Sequence, residues 1–593
     1  MKIRPQNRKA LLRAALGEEP SELLIRNAKL VNVLTGEIYP ADVYASGGFI
    51  VHVESARPGE NPAPAQTVID AAGSYLLPGF IDSHEHIESS MMTPRHFAET
   101  VIPQGTTTVI CDPHEIANVL GEEGVRYMHE CGEGLPMRQL IDVPSCVPSA
   151  PGLEGSGASF GAAEIRELAQ LDRAVGLAEV MDFPGVIGGA PRMMEILDAA
   201  EEAGLYLQGH APMLSGRALS AYRCAGPNTC HETCFAAEAL EKLRCGVYVD
   251  ARESSIMKNV KEIWEGVRHV RYFDQLTFCT DDREADEILG EGHVNDVVRA
   301  AIACGMDPVD AVKCATYNAA REAGLENLGA IAPGFAADMQ LVPDLRELRP
   351  SHVFFGGRLV AKDGALTEPL PEKRFPTETR STMHVRPLTV QDFCLRAPVE
   401  NGSVAVNVMR YPSVESALST LAQETLPVRG GCVETDDPEL LYMAVINRHE
   451  GSDAIAVGLV RGAGLRGGAL ASTVAHDCHN LIVVYDTPEN ALLAANELIA
   501  CGGGMCAVRG GKVLHTLALP LAGLMSLSPA RELAQDCRAM KDAVRSLGLT
   551  QLANPLLRIV TFALPVIPEV RLTDLGLVDV ASQKLIPTFP DFS

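Results

Sequence analysis

A chain of 593 residues and 63.4 kDa is too long for one hydrophobic core. Its hydrophobic share of 47% and charged share of 21% are those of a soluble globular protein, and no apolar run reaches the ~18 residues of a membrane span. A formal charge of −26 and a pI near 5.1 exclude a protein that grips nucleic acid through a basic face and leave a small neutral or cationic substrate as the natural partner.

Residues 1–21 are basic and helix-prone without an apolar core segment, so they read as a helix and not as a signal peptide. The 16 cysteines follow no regular framework, which points to reduced thiols and a cytoplasmic protein. From Leu23 the pattern alternates like strands, with runs at Asp42–Tyr44 and Phe49–Val51 and a Pro-rich loop over 58–64, so 22–75 reads as a small β-domain.

A short buried strand over Leu76–Ile81 then leads into His84-Glu85-His86. Alternate side chains of a strand share a side, so the two imidazoles face one ion. Further strands are predicted at Thr106–Cys111, Arg138–Val143, Ala174–Met181, Leu205–Gly209, Gly246–Asp250 and Leu276–Thr280, with a short segment carrying His231, and helical patterns lie between them. Eight such units over 76–334 predict an α/β protein built on a (β/α)8 barrel, whose catalytic groups sit at the carboxyl ends of the strands. Strand-like runs at Met339–Val342 and His352–Phe355 return to the small β-domain over 335–366. Residues 367–384 read as a linker and 385–593 as a C-terminal α+β domain.

Six side chains fall at the predicted rim: His84, His86, Glu179, His210, His231 and Asp281. Four imidazoles and two carboxylates make a ligand set for two divalent metal ions, of which Mn and Fe suit it best and Zn is tolerated. Many two-metal barrels bridge their ions with a carbamylated lysine, but no lysine lies between Lys29 and Lys242. An acid must bridge instead, and Glu179 is placed for it.

The run from Pro78 through His84-Glu85-His86-Ile87-Glu88-Ser89-Ser90-Met91, with Asp112-Pro113-His114-Glu115, resembles the bacterial adenine deaminases of the metal-dependent amidohydrolase superfamily. So do Ala475-His476-Asp477-Cys478-His479-Asn480 and the segment Leu519 to Ser526; the resemblance spans about 22–590. It implies hydrolysis of adenine, a small purine base, to hypoxanthine and ammonia by water activated at the metal pair, in a homodimer or higher homo-oligomer. Asp281 is then the proton carrier, Glu232 and Glu115 act on ring nitrogens, and Ser89, Asp112 and His114 bind substrate. Glu232 equally suits a helix N-terminus; Asp112–Glu115 also suits a turn opening a helix, but its place after a strand at the rim favours function. The His476–Asn480 segment fits a third metal, or a hydrogen-bonded turn that supports the interface between domains; with no further ligands apparent, structure or active-site closure is the better reading. Two positions depart from the family pattern, Cys230 in place of Asp and Glu284 in place of His; they bear on substrate preference and rate. The alternatives are another cyclic amide hydrolase or deacetylase of the superfamily, and a metal-free scaffold on the same barrel.

Overall fold

The computed structural model of this chain describes residues 1–55, 63–449 and 451–592. The loop expected over 58–64 lies outside the described residues up to position 62. Eight parallel strands form the barrel: β1 Phe80–Glu85, β2 Thr106–Cys111, β3 Arg138–Val143, β4 Ala174–Val180, β5 Tyr206–Gly209, β6 Thr229–Cys230, β7 Tyr248–Arg252 and β8 Leu276–Cys279. Strands β1 to β5 pair in sequence, as do β6 to β8. Two seams close the ring. Asn228 N–H donates to Leu207 O at 3.1 Å between β5 and β6, and Asp281 N–H donates to His84 O at 3.0 Å between β8 and β1. The order follows from the connections, each a helix that carries the chain back to start the next parallel strand.

The strand expected over Leu76–Ile81 is two strands. Tyr75–Pro78 pairs antiparallel with Met339–Val342 in the small β-domain, and the barrel starts only at Phe80. Gly79 between them packs so tightly on Thr107 that a Cβ would overlap that side chain, which is why the chain changes sheets at a residue without one. The small domain is a nine-stranded sheet whose strands come from both flanks of the barrel, 21–78 and 339–366. The N-terminal helix is shorter than expected, Arg8–Ala15, capped by Asn7.

The segment read as a linker is docked on the barrel. Its Arg380 pairs with Glu123, Lys373 Nζ lies 3.4 Å from Glu133, and Phe375 packs edge-on against Tyr127 at 5.5 Å. Beyond it, a second nine-stranded sheet is sandwiched between two cores. In Leu440–Ile446 the alternation is explicit: Leu440, Tyr442, Ala444 and Ile446 pack under the helix Pro488–Cys501, while Leu441, Met443 and Val445 join the core that also holds Met91 and Met92 of the barrel. The C-terminal domain is therefore cored onto the barrel. All 16 cysteines of the chain are free thiols. No helix among the described residues is long and apolar enough to cross a membrane.

Candidate metal centre

The pairing of β1 with β2 shifts register between Asp82 and Glu85. Ser83 Oγ donates to Asp250 at 2.9 Å and His84 Nδ1 meets Gln208 Oε1 at 2.8 Å, so two consecutive residues turn inward. A regular strand would turn one of them out; alternation already puts His84 beside His86, so the irregularity accounts for Ser83 turning inward as well. His86 Nδ1 lies 3.0 Å from the Asp112 carbonyl. Amide and carbonyl oxygens only accept, so both rings carry their proton on Nδ1 and present a bare Nε2 to the mouth.

Around these two nitrogens the other expected ligands converge. Asp281 Oδ1 is 3.4 Å from each Nε2, and Glu179 Oε1 is 3.5 Å from His86 Nε2 and 4.0 Å from His84 Nε2. The second carboxylate oxygen, Oε2, faces the other way. It meets His210 Nδ1 and lies 3.1 Å from His231 Nε2. Glu179 thus stands between two donor sets, His84, His86 and Asp281 on one side and His210 and His231 on the other. The donors in the groups His84–His86–Asp112–Glu179, His84–His231–Asp281 and Glu179–His210–His231 lie within 4.8 Å of one another. Ligand bonds of about 2.0–2.2 Å for imidazole and carboxylate place donors of one ion at such separations. All are buried except His210, whose ring is 14% exposed. The residues fit a pair of divalent cations.

Electrostatics agree with ligation. Burial alone would raise the Glu179 carboxyl, but His210 and His231 outweigh it and hold it well below the ordinary value. For Asp281, burial is outweighed by Arg252 and by the His84 contact. Arg252 Nη1 grips Asp281 Oδ2 and lies 2.7 Å from Glu232 Oε1, so it fixes which Asp281 oxygen faces the ions. Glu232 also comes within 3.7 Å of His231 Nε2, and its carboxyl is lowered: burial raises it, Arg252 and His210 lower it more.

The expected substrate groups line the same mouth. His114 Nδ1 sits 3.2 Å from Asp112 Oδ2 and 3.6 Å from Glu179 Oε1, and its ring packs edge-on to His86 at 4.7 Å. Ser89 Oγ donates to Asp282 at 2.5 Å. Glu115 turns away from the ions toward the C-terminal domain, where His476 Nδ1 lies 2.6 Å from Oε1 and His479 Nε2 meets Oε2. Burial would raise the Glu115 carboxyl, yet the two histidines hold it well below its usual range; His476 is correspondingly pushed up to about 10. His479 Nδ1 accepts the Ala475 N–H at 3.1 Å, so the ring's own proton is on Nε2 and points at Glu115. That tautomer leaves His479 no lone pair for a cation on that side. The segment closes the mouth as a hydrogen-bonded turn.

Sequence reading missed four residues here. Gln208 and Arg252 orient ligands, Asp282 holds Ser89, and Asp477 lies 3.9 Å from His114. Gln208 was within reach, since it is two residues before His210 and therefore on the same side of β5. Arg252 ends β7, a rim position. Asp477 lies in the segment read as structure or active-site closure, but nothing local singles it out from its neighbours as the residue that approaches His114.

The departures also have structural counterparts. Cys230 Sγ lies 3.1 Å from the buried Lys242 ammonium, which also meets Glu238 Oε1 at 2.7 Å. Glu284 Oε2 is 2.7 Å from Lys541 Nζ on the C-terminal helix Ala530–Ser546, with Asp286 at 2.8 Å from the same nitrogen. Glu284 is thus a partner across the interface between the domains.

Comparison with known proteins matches this division. Residues 75–360 match the Amidohydrolase family and residues 416–584 the Adenine deaminase C-terminal domain. An adenine deaminase of Moorella thermoacetica is 41% identical over 97% of this chain and 97% of its own. Adenine deaminase 2 of Carboxydothermus hydrogenoformans is 39% identical over 98% and 99%, and an adenine deaminase of Methanothrix thermoacetophila 40% identical over 98% and 99%. With both parts matched and the whole chain aligned, the protein belongs to the adenine deaminase family of metal-dependent amidohydrolases.

Proposed function

We propose that this protein hydrolyses adenine to hypoxanthine and ammonia at the β-strand rim described above. The observation that supports it most is the division of the Glu179 carboxylate, one oxygen toward His84 and His86 and the other toward His210 and His231. In this reading His84, His86, Asp281 and Glu179 hold one divalent ion, and Glu179, His210 and His231 the second. Mn or Fe is the preferred metal and Zn is acceptable. The pair, when bound, lowers the pKa of water to about 7 and stabilises negative charge developing on the ring.

The chain's own groups move the protons. Asp281 Oδ1 faces the ions while Arg252 holds Oδ2, so Oδ1 takes the proton released as water adds to C6 of the purine and returns it to the departing amine. A positioned acid–base group of this kind contributes about 10²- to 10⁴-fold in rate. Glu232, kept ionised by Arg252, can only accept a hydrogen bond, so it grips an N–H of the 6-amino group and not a bare ring nitrogen. His114 turns Nε2 toward the C-terminal segment and supplies a donor to a ring nitrogen. Glu115 is committed to His476 and His479 and acts on substrate only by positioning. The 16 free thiols support a cytoplasmic location.

The direct test is to purify the protein from cells supplied with Mn or Fe, add adenine, and follow ammonia release with the change in purine absorbance. Glu179→Gln lowers metal content and turnover together; a variant that keeps both removes Glu179 from the bridging role. A panel of other purines, N-acetyl sugars and hydantoins separates adenine from the superfamily's remaining substrates.

A further inference from the structure

The C-terminal segment over the mouth carries a buried carboxylate oxygen that no group among the described residues satisfies. Asp477 is 2% exposed, and its Oδ2 has no hydrogen-bond partner among the described residues. A buried acceptor left bare costs about 1–3 kcal/mol, more when it is charged, so such a group is expected to have a use. Its other oxygen lies 3.9 Å from His114 Nε2, while His114 Nδ1 lies 3.6 Å from Glu179 Oε1. One imidazole ring therefore separates Asp477 from the metal centre.

The segment is held firmly. Glu115, at the start of the helix His114–Leu120, is clamped by His476 on one side of Asp477 and His479 on the other. Asn480 Nδ2 donates to Gly155 O at 2.8 Å, and Arg448 Nη2 donates to Ala522 O at 2.8 Å while its Nε binds the His479 carbonyl at 2.5 Å. Barrel and C-terminal domain thus share three anchors around the free Asp477 oxygen: Glu115 with His476, Glu115 with His479, and Asn480 with Gly155.

We infer that Asp477 is the specificity-determining residue of the purine site: its free carboxylate oxygen accepts the imidazole N–H of a free purine base, and so turns away bases substituted at N9. The inference rests on the adenine reading above. Reaction at C6 requires the six-membered ring to face the ions, which sends the five-membered ring away from them. On that far side the chain offers an acceptor with nothing to accept. A free base carries an imidazole N–H and fills that need. A nucleoside, or any N9-alkylated base, lacks the proton and places carbon against the carboxylate beneath a closed segment.

The test compares adenine with 9-methyladenine on the same protein samples, so that a partly folded variant cancels in the ratio. Wild-type enzyme is expected to favour adenine in kcat/KM by 100-fold or more. Asp477→Ala should cut kcat/KM for adenine by about 10- to 100-fold, as loss of one charge-assisted hydrogen bond does, and raise or leave unchanged, but not lower, the 9-methyladenine value. Asp477→Asn, which keeps an acceptor oxygen, should recover part of the preference. Calorimetric binding of hypoxanthine and 9-methylhypoxanthine should show the same pattern without turnover. If both substrates fall by one factor, or neither changes, Asp477 does not read the N–H. If wild-type enzyme turns over the N9-substituted base as well as adenine, the specificity claim fails while the activity stands. If it binds and turns over neither purine, the adenine reading itself fails and takes this one with it.

Discussion

Gln208→Leu tests whether the residue behind a ligand sets the metal affinity. Gln208 is fully buried. Its Oε1 accepts from His84 Nδ1 at 2.8 Å, and its Nε2 donates to the Ser83 carbonyl at 3.1 Å. Leucine fits the volume but strands both partners, and each stranded buried group costs about 1–3 kcal/mol. The metal-free protein should therefore lose roughly 2–5 kcal/mol of stability, part of it offset by the apolar replacement. A second loss is separate from the first. Without an acceptor behind it, His84 is free to carry its proton on Nε2, the atom that faces the ion. Loss of such an outer partner typically weakens metal affinity 10- to 100-fold, or about 1.4–2.8 kcal/mol. Chelator competition gives the affinity, and thermal melts of stripped and loaded protein give the stability. The gap between the two melts should shrink by the lost binding energy. Gln208→Glu keeps an oxygen facing His84 Nδ1 and should retain most of the affinity. An unchanged affinity in Gln208→Leu, beside a lowered metal-free melt, would falsify the orienting role and leave Gln208 as packing alone.

Other changes have equally direct readouts. Lys541→Ala leaves buried Glu284 and part-buried Asp286 without their shared cation and should destabilise by about 3–5 kcal/mol, whereas Lys258→Ala, which breaks an exposed pair with Glu291 at 3.3 Å, should cost under about 1 kcal/mol; equal melts for the two would contradict the interface assignment. Gly329 has φ +80, and a Cβ there would sit 2.5 Å from the Thr316 carbonyl, so Gly329→Ala should lower stability by about 1–3 kcal/mol or more, read by denaturant midpoint. Hydrogen bonds from Arg386 and the Thr389 cap hold the Asp392 carboxyl at about 2, below its ordinary 3.8. That contribution is complete above pH 3.8 and lost as pH falls through 2, so Asp392→Asn should lower the melting temperature at pH 6 and change it progressively less toward pH 2.

Adjacent periodicity explains what could be read early. The β2 and β3 spans, Thr106–Cys111 and Arg138–Val143, are bounded in sequence by helix patterns and turns, and they stand where those signals end. His84, His86, Glu179, His210, His231 and Asp281 share one rim because strands that all run parallel end on the same side. By contrast, Leu76–Ile81 looked continuous because apolar alternation does not reveal which sheet each half joins. Only the close approach of Gly79 to Thr107 divides it. The register shift beside which Ser83 also turns inward is likewise a property of pairing, which a single strand does not carry.

The residue types, their spacing after predicted strands, and the absence of a lysine between 29 and 242 pointed by themselves to a barrel with histidines and acids gathered on one rim as candidate metal ligands. The tertiary structure alone decided which oxygen of Glu179 faces which histidines, that Arg252 and Gln208 aim the ligands, and that His476 and His479 lock Glu115 from another domain. The physical reason is range. Strand periodicity is set by neighbours a few residues apart, whereas the direction of a carboxylate or the tautomer of an imidazole is set by partners tens to hundreds of residues away, which meet only once the chain has folded.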